Sequence, residues 1–165
     1  MSAVDAAISL AIAAMRADSV LSLPNGTGAG KHPAGVKREV HPGSSESEST
    51  FPAGTTFPAI AVVPVSSENT LNGSGTPVLT SGLVMVKIVA TGGNMETERR
   101  IAERVIVVLR SIKRATWTRG DGEPVYYVSE LAWQREVTQP NETIGDRVFR
   151  FKNLVYRTQG YQRGG

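Results

Sequence analysis

The sequence predicts an α+β domain: a mostly antiparallel sheet with two helices packed on one face, a long β-hairpin and a long Gly/Ser-rich loop. Three observations carry that expectation. Between Met95 and Lys113, Ile101, Ala102, Val105, Val108, Leu109 and Ile112 recur at helical spacing and make one apolar stripe. Residues 124–138 and 145–158 alternate in character with period two on either side of the turn Gln139-Pro140-Asn141-Glu142. From Pro24 to Thr56, Gly, Ser, Pro and Thr displace the apolar residues. Strands and helices therefore come in blocks rather than in strict alternation, the pattern of an antiparallel sheet with helices on one side.

The 165 residues are one domain's worth of chain, expected to fold as a single unit over 1–165. A hydrophobic fraction of 40% is lean, because the 24–56 segment adds little to a core. A net charge of +3 is too small to imply nucleic acid by itself. The absence of cysteine excludes disulfides, thiolate metal sites and a cysteine nucleophile. The apolar run Ala6 to Ala14 has only Asp5 charged ahead of it and is too short to span a bilayer. It reads as a helix of a soluble protein.

Taken in order, residues 3–17 form the first helix, with Ser2 and Asp5 spaced as a capping box and Val4, Ile8, Ala11, Ile12 and Met15 along one side. Val20 to Leu23 reads as a short extended piece. The only alternating stretch of the long loop, Val36 to Val40, reads as half of a hairpin arm. Residues 57–66 form a strand whose Pro58 and Pro64 place it at an edge or make it irregular. A polar connection follows from Ser66 to Pro77. Residues 83–91 are apolar on both faces, which predicts a central strand. Asn94 is placed to cap the main helix, with Glu96 and Glu98 in its first turn and Arg110, Lys113 and Arg114 in its last. Thr116 to Glu123 reads as a loop holding Trp117. In the hairpin, Val125, Tyr127, Leu131, Trp133 and Val137 share a face opposite Glu130, Gln134 and Glu136. Phe149, Phe151 and Val155 lie opposite Arg150 and Lys152. The tail 160–165 is expected to be loose.

No catalytic motif emerges. Asn25 to His32 imitates a phosphate loop, but Asn25 stands where the first Gly belongs and His32 where Ser or Thr would hold Mg²⁺. Pro33 and Gly35 leave no helix to follow. Arg119-Gly120-Asp121-Gly122 reads as a turn, and the sequons at Asn25 and Asn141 lack a secretion signal. His32 and His41 have no ligand-like companions, so neither a metal site nor a Ser/His/Asp set is expected. No cofactor is expected, and the chain does not read as an enzyme. The basic residues concentrate on the main helix, but Glu96, Glu98 and Glu103 are interleaved with them. This favours a solvated or subunit-contact face over a phosphate track.

Taken together, the alanine-rich first helix, the strand Phe57-Pro58-Ala59-Ile60 after a long loop, the strand Leu83 to Thr91, the single long helix and the C-terminal hairpin ending near Tyr156 resemble the tail terminator (tail-completion) proteins of long-tailed bacteriophages. The resemblance covers most of the chain outside the long loop and is one of size, order and texture. It implies a structural virion protein assembled in the host cytoplasm, forming a homo-oligomeric ring, a hexamer being favoured. Such a ring caps the tail tube protein, meets the head-completion or connector protein, and lets DNA pass without reading its sequence. It involves no membrane. On that reading Arg99, Arg100, Arg104, Arg110, Lys113, Arg150 and Lys152 are the candidates for subunit contacts or the channel wall. The alternatives are another neck or tail component (a head-completion protein or tail tube subunit) and a small nucleic-acid-binding module.

Overall fold

The computed structural model describes residues 2–21, 36–38, 57–71, 73–75, 77–92, 95–118, 120, 122 and 125–163. The elements are α1 (Ala3–Ala17), β1 (Val36–Arg38), β2 (Ala59–Leu71), β3 (Pro77–Thr91), α2 (Glu96–Leu109), β4 (Lys113–Thr118), β5 (Val125–Val137), β6 (Glu142–Ile144) and β7 (Arg147–Arg163). They give an α+β fold. One sheet runs in the order β1-β2-β3-β7-β5-β4, with β6 also paired to β7, and every pairing is antiparallel except β1 on β2.

The first helix begins with the expected capping box. The Asp5 amide donates to the Ser2 hydroxyl at 3.3 Å, and the Ser2 amide donates to the Asp5 carboxylate at 2.8 Å, so two free N–H groups are satisfied reciprocally. Val4, Ile8, Ala11, Ile12 and Met15 are buried, joined by Ala3, Ala6 and Ala7. So many small side chains let the helix lie close to the sheet. Two glycines complete the fit: a Cβ at Gly160 would stand 2.9 Å from the Ala3 Cβ, and one at Gly82 would stand 2.8 Å from the Val4 Cγ2.

The central strand is β3, paired along its length to β2 and β7. Val84, Val86 and Ile88 join the core under the helices together with Ile60, Val62, Leu154 and Tyr156. On the opposite face Lys87 and Val89 are buried as well. From α2, Ile101, Ala102, Val105 and Leu109 complete the core.

Several elements depart from the sequence reading. The polar stretch 66–77, expected to be a connection, is largely strand: β2 runs on to Leu71 and β3 starts at Pro77. A ladder is made by the backbone, so Ser, Asn and Thr there cost it little, and cross-strand partners Asn69 and Thr80 add a side-chain hydrogen bond of 2.8 Å. Pro64 falls where the register shifts, which accommodates its missing donor. Within Val36 to Val40, the described part is a parallel strand on β2 rather than a hairpin arm. Residues 160–163 belong to β7 and pair with β5, with Tyr161 stacked on Tyr127 at 5.1 Å, so they are not a loose tail. The remainder of the 24–56 segment and residues 164–165 lie outside the described residues, as do Ser22, Leu23 and Asn94.

The main helix is shorter than its periodicity suggests. Its N-cap is Met95, which makes no side-chain cap, and its last residue is Leu109. The amides of Ser111 and Ile112 then bond to the carbonyls of Val108 and Leu109 in a tight exit. Arg114 takes a positive φ of 51°, and the chain continues as β4. Lys113 and Arg114 are thus strand residues, and Trp117 sits in a strand, not a loop. The run Lys113–Thr118 is drawn out of helix by its pairing to β5.

The faces of β5 differ most from simple alternation. Register shifts between Val128 and Glu130, and again between Trp133 and Arg135, mark two β-bulges. Each inserts one residue and exchanges the two faces of the strand. Tyr126 and Val128 join the core on one side of the first bulge, and Leu131 does so on the other. Beyond the second, Glu136 opposes core Leu154. On β7, Arg150 shares the parity of Leu154 and Tyr156 and is buried beneath α2, not on an open face. Among the described residues no helix is long and apolar enough to cross a membrane.

Candidate functional site

The seven candidate cations meet different fates. Arg150 of β7 and Glu98 of α2 form a buried pair, with guanidinium–carboxylate distances of 2.7 and 3.1 Å and both side chains under 10% exposed. Arg104 reaches back to Asp18, just after α1, in a two-pronged contact whose Nε–Oδ2 distance is 3.0 Å. Asp18 also accepts from the Leu21 amide at 3.1 Å, so one carboxylate ties α1, its exit turn and α2 together. The Arg104 hydrogen bonds hold the Asp18 carboxyl below its usual range, against the opposing effect of burial, and the same contact raises the guanidinium. Arg99 and Arg100 flank Glu96 on the exposed surface at 2.8 and 3.9 Å. Lys152 meets Glu136 at 3.1 Å. Five of the seven are therefore committed to carboxylates within the chain.

Arg110 and Lys113 are not. Among the described residues neither makes a hydrogen bond or ion pair through its side chain. The exit from α2 brings the two together at the mouth of a half-open cleft of about 430 Å³. Ile106 and Arg110 form its helix side, and Lys113 and its cross-strand partner Glu130 form its rim. Leu131 and Trp133 of β5 and Tyr156 of β7 line the rest. Trp133 is 50% exposed although it sits beside the core, whereas Tyr156 is 2% exposed. The Tyr156 hydroxyl is withdrawn from water and has no hydrogen-bond partner among the described residues. Burial pushes this phenol well above its ordinary pKa, with the nearby Arg110 charge acting the other way, so it is a neutral donor.

The sequence reading named Arg110 and Lys113 but missed Trp133 and Tyr156 as their companions. In that reading Tyr156 is only the end of the hairpin, on the Arg150 and Lys152 side of its strand, and Trp133 shares a face with Val125. The bulge beside Ser129 is what swings Trp133 to the α2 side. The one signal available was the side-chain type of Tyr156, whose polar tip needs a partner when buried.

Among the described residues, two stretches of sheet edge have no partner strand. β1 covers β2 only over Ile60–Val62, so beyond Val62 that strand has β3 on one side and no described partner on the other. β4 covers β5 as far as Glu130 and the Leu131 amide still donates to the Ile112 carbonyl, so only Ala132 to Val137 have no described partner on that side. Each open stretch carries exposed apolar side chains: Val65 and Leu71 on β2, Trp133 on β5.

No group of His, Asp and Glu among the described residues is placed to hold a metal ion. His32, His41 and the whole phosphate-loop imitation lie outside them. A scan against models of known protein families gives no match, and no curated protein is similar in sequence at a meaningful level.

Proposed function

We propose that the protein is a structural component of a phage tail, a terminator that closes the tail tube as a homo-oligomeric ring and joins it to the head connector. The observation that carries this reading is the pair of sheet edges that have no partner among the described residues. They lie on opposite sides of one sheet, differ from each other, and each exposes apolar side chains. Free edges are normally blunted, because their unpaired backbone groups invite another strand. Joining one edge to the other between copies is a heterologous, head-to-tail contact, which closes into a ring when the rotation per subunit permits. The pairing of five of the seven candidate cations with carboxylates weakens the nucleic-acid alternative, since a phosphate track needs uncommitted charge.

The test is the solution mass by light scattering, with and without purified tail tubes. A hexamer, formed alone or on tubes, supports the terminator reading. A ring that ignores tubes points to another neck component. A persistent monomer that binds neither tubes nor connector overturns both. Val65→Lys, which places a charge on the open β2 edge at an exposed position, should abolish assembly while leaving the melting curve of the monomer unchanged.

A further inference from the structure

We infer that the cleft between the end of α2 and the bulged part of β5 is a binding site for a carboxylate carried on a flat apolar body. The inference rests on the cleft's own residues and not on the proposed ring, although Trp133 belongs to both the cleft and the open β5 stretch. Its capacity, about 430 Å³, falls within the range of small-ligand sites. Its polar groups converge on an anion: Arg110 offers a planar fork matched to a carboxylate, and Lys113 adds a second charge. Neither is occupied by a carboxylate of the described chain, although five other cations are. Tyr156 supplies the second, independent sign. A buried hydroxyl without a partner is costly, and a ligand oxygen beside Arg110 would relieve it.

The rest of the cleft defines the body of the ligand. Trp133 keeps half of its surface open at the site, a face on which a ring can stack. Ile106 and Leu131 give an apolar floor. Glu130 sets the charge. Against two cations it leaves a net +1, suited to a monoanion, and its carboxylate opposes a phosphate dianion. An aromatic or similarly flat monocarboxylate fits these terms. A free acid and the C-terminal residue of a polypeptide share that chemistry.

The experiment is a chemical-shift titration of the full-length protein with four probes: indole-3-acetate, its neutral analogue indole-3-ethanol, an N-acetylated peptide ending in a free tryptophan carboxylate, and inorganic phosphate. Shifts should centre on residues 106–113, 130–133 and 156. Indole-3-acetate or the peptide should bind at least about tenfold tighter than the neutral analogue, the worth of a charge-assisted hydrogen bond. The tighter of the two acids identifies the source as free acid or polypeptide terminus. Arg110→Gln, at an exposed position, should weaken binding about tenfold or more. Tyr156→Phe should weaken it several-fold while raising Tm, because it removes the orphaned hydroxyl. Three results of the titration with the wild-type protein would each overturn the inference. These are no binding by either acid up to about 10 mM, where affinity falls below that of weak small-ligand sites, equal binding of acid and alcohol, and tighter binding of phosphate. An Arg110→Gln protein that binds like wild type would do the same.

Discussion

Replacing Glu98 by Met tests the linkage between α2 and the sheet directly. The side chain is of similar size but uncharged, so the substitution leaves little cavity and removes chiefly the carboxylate. Glu98 and Arg150 are 9% and 8% exposed in their side chains, and two hydrogen bonds of 2.7 and 3.1 Å join them. Taking one partner from a buried pair typically costs about 3–5 kcal/mol, because the other charge stays in a poorly solvated place. For a chain of this size each kcal/mol shifts Tm by roughly 2–4 °C, so the expected fall is about 6–20 °C. The double variant Glu98→Met with Arg150→Met removes both charges and should recover most of the loss, since apolar replacement of a whole buried pair is close to neutral. The assay is thermal unfolding by circular dichroism at neutral pH on the four proteins of the cycle, which isolates the coupling. A single Glu98→Met variant melting within about 2 °C of wild type, a shift of under 1 kcal/mol, would refute the reasoning, because the pair would then be solvated and the helix held by apolar packing alone.

Three further outcomes are expected. Val105→Asp or Leu109→Asp should abolish folded expression, since both positions are 0% exposed under α2, and a wild-type melting curve for either would contradict the core assignment. Asp18→Asn should destabilise at neutral pH by an amount that fades on acidification. The folded carboxyl is held below the ordinary value of 3.8, so its contribution is complete above that pH and is lost as pH falls through the lower folded value. Urea titrations at several pH values check this, and a difference that is constant or grows toward low pH would be the wrong sign. Gly160→Ala should lower Tm, because its Cβ would meet the Tyr127 carbonyl oxygen and stand 2.9 Å from the Ala3 Cβ. An unchanged Tm would mean that the α1 start and β5 yield freely.

The parts of the fold that could be read from the sequence are those governed by neighbours a few residues apart. The α1 cap needs only Ser2 and Asp5. The core stripe of α2 needs only Ile101, Ala102, Val105 and Leu109 at their spacing, and all four are buried. The central place of β3 follows from a strand apolar on both sides. Boundaries were less legible where backbone pairing rather than side-chain character decides. The polar end of β2, the start of β3 and the last residues of β7 are strand because a neighbouring strand is present, which no local pattern reports. Ile112 continues the helical periodicity of α2 and is buried, yet it lies beyond the helix, since the β4–β5 ladder claims the next residues.

The candidate site was harder to foresee for a related reason. Its charges are sorted by contacts between distant parts of the chain: Arg104 and Asp18 are 86 residues apart, and Arg150 and Glu98 are 52 apart. A cluster of arginines on one helix therefore overstates the free charge, because pairing removes most of it and leaves the two cations at the helix exit. The same sorting explains why those two meet an indole and a phenol. The bulge beside Ser129 exchanges the faces of β5 before Trp133, so period-two counting assigns Trp133 to the wrong company, and only the register with Tyr156 puts the two rings on the side of Arg110. Bulges recur where a strand must re-aim a side chain toward a site. In this sheet the first of them turns Trp133 into the cleft, while β4, on the other side of β5, keeps its register past it. Substitutions that restore regular pairing around Ser129 should therefore disturb ligand binding, whereas Val65→Lys should touch assembly alone.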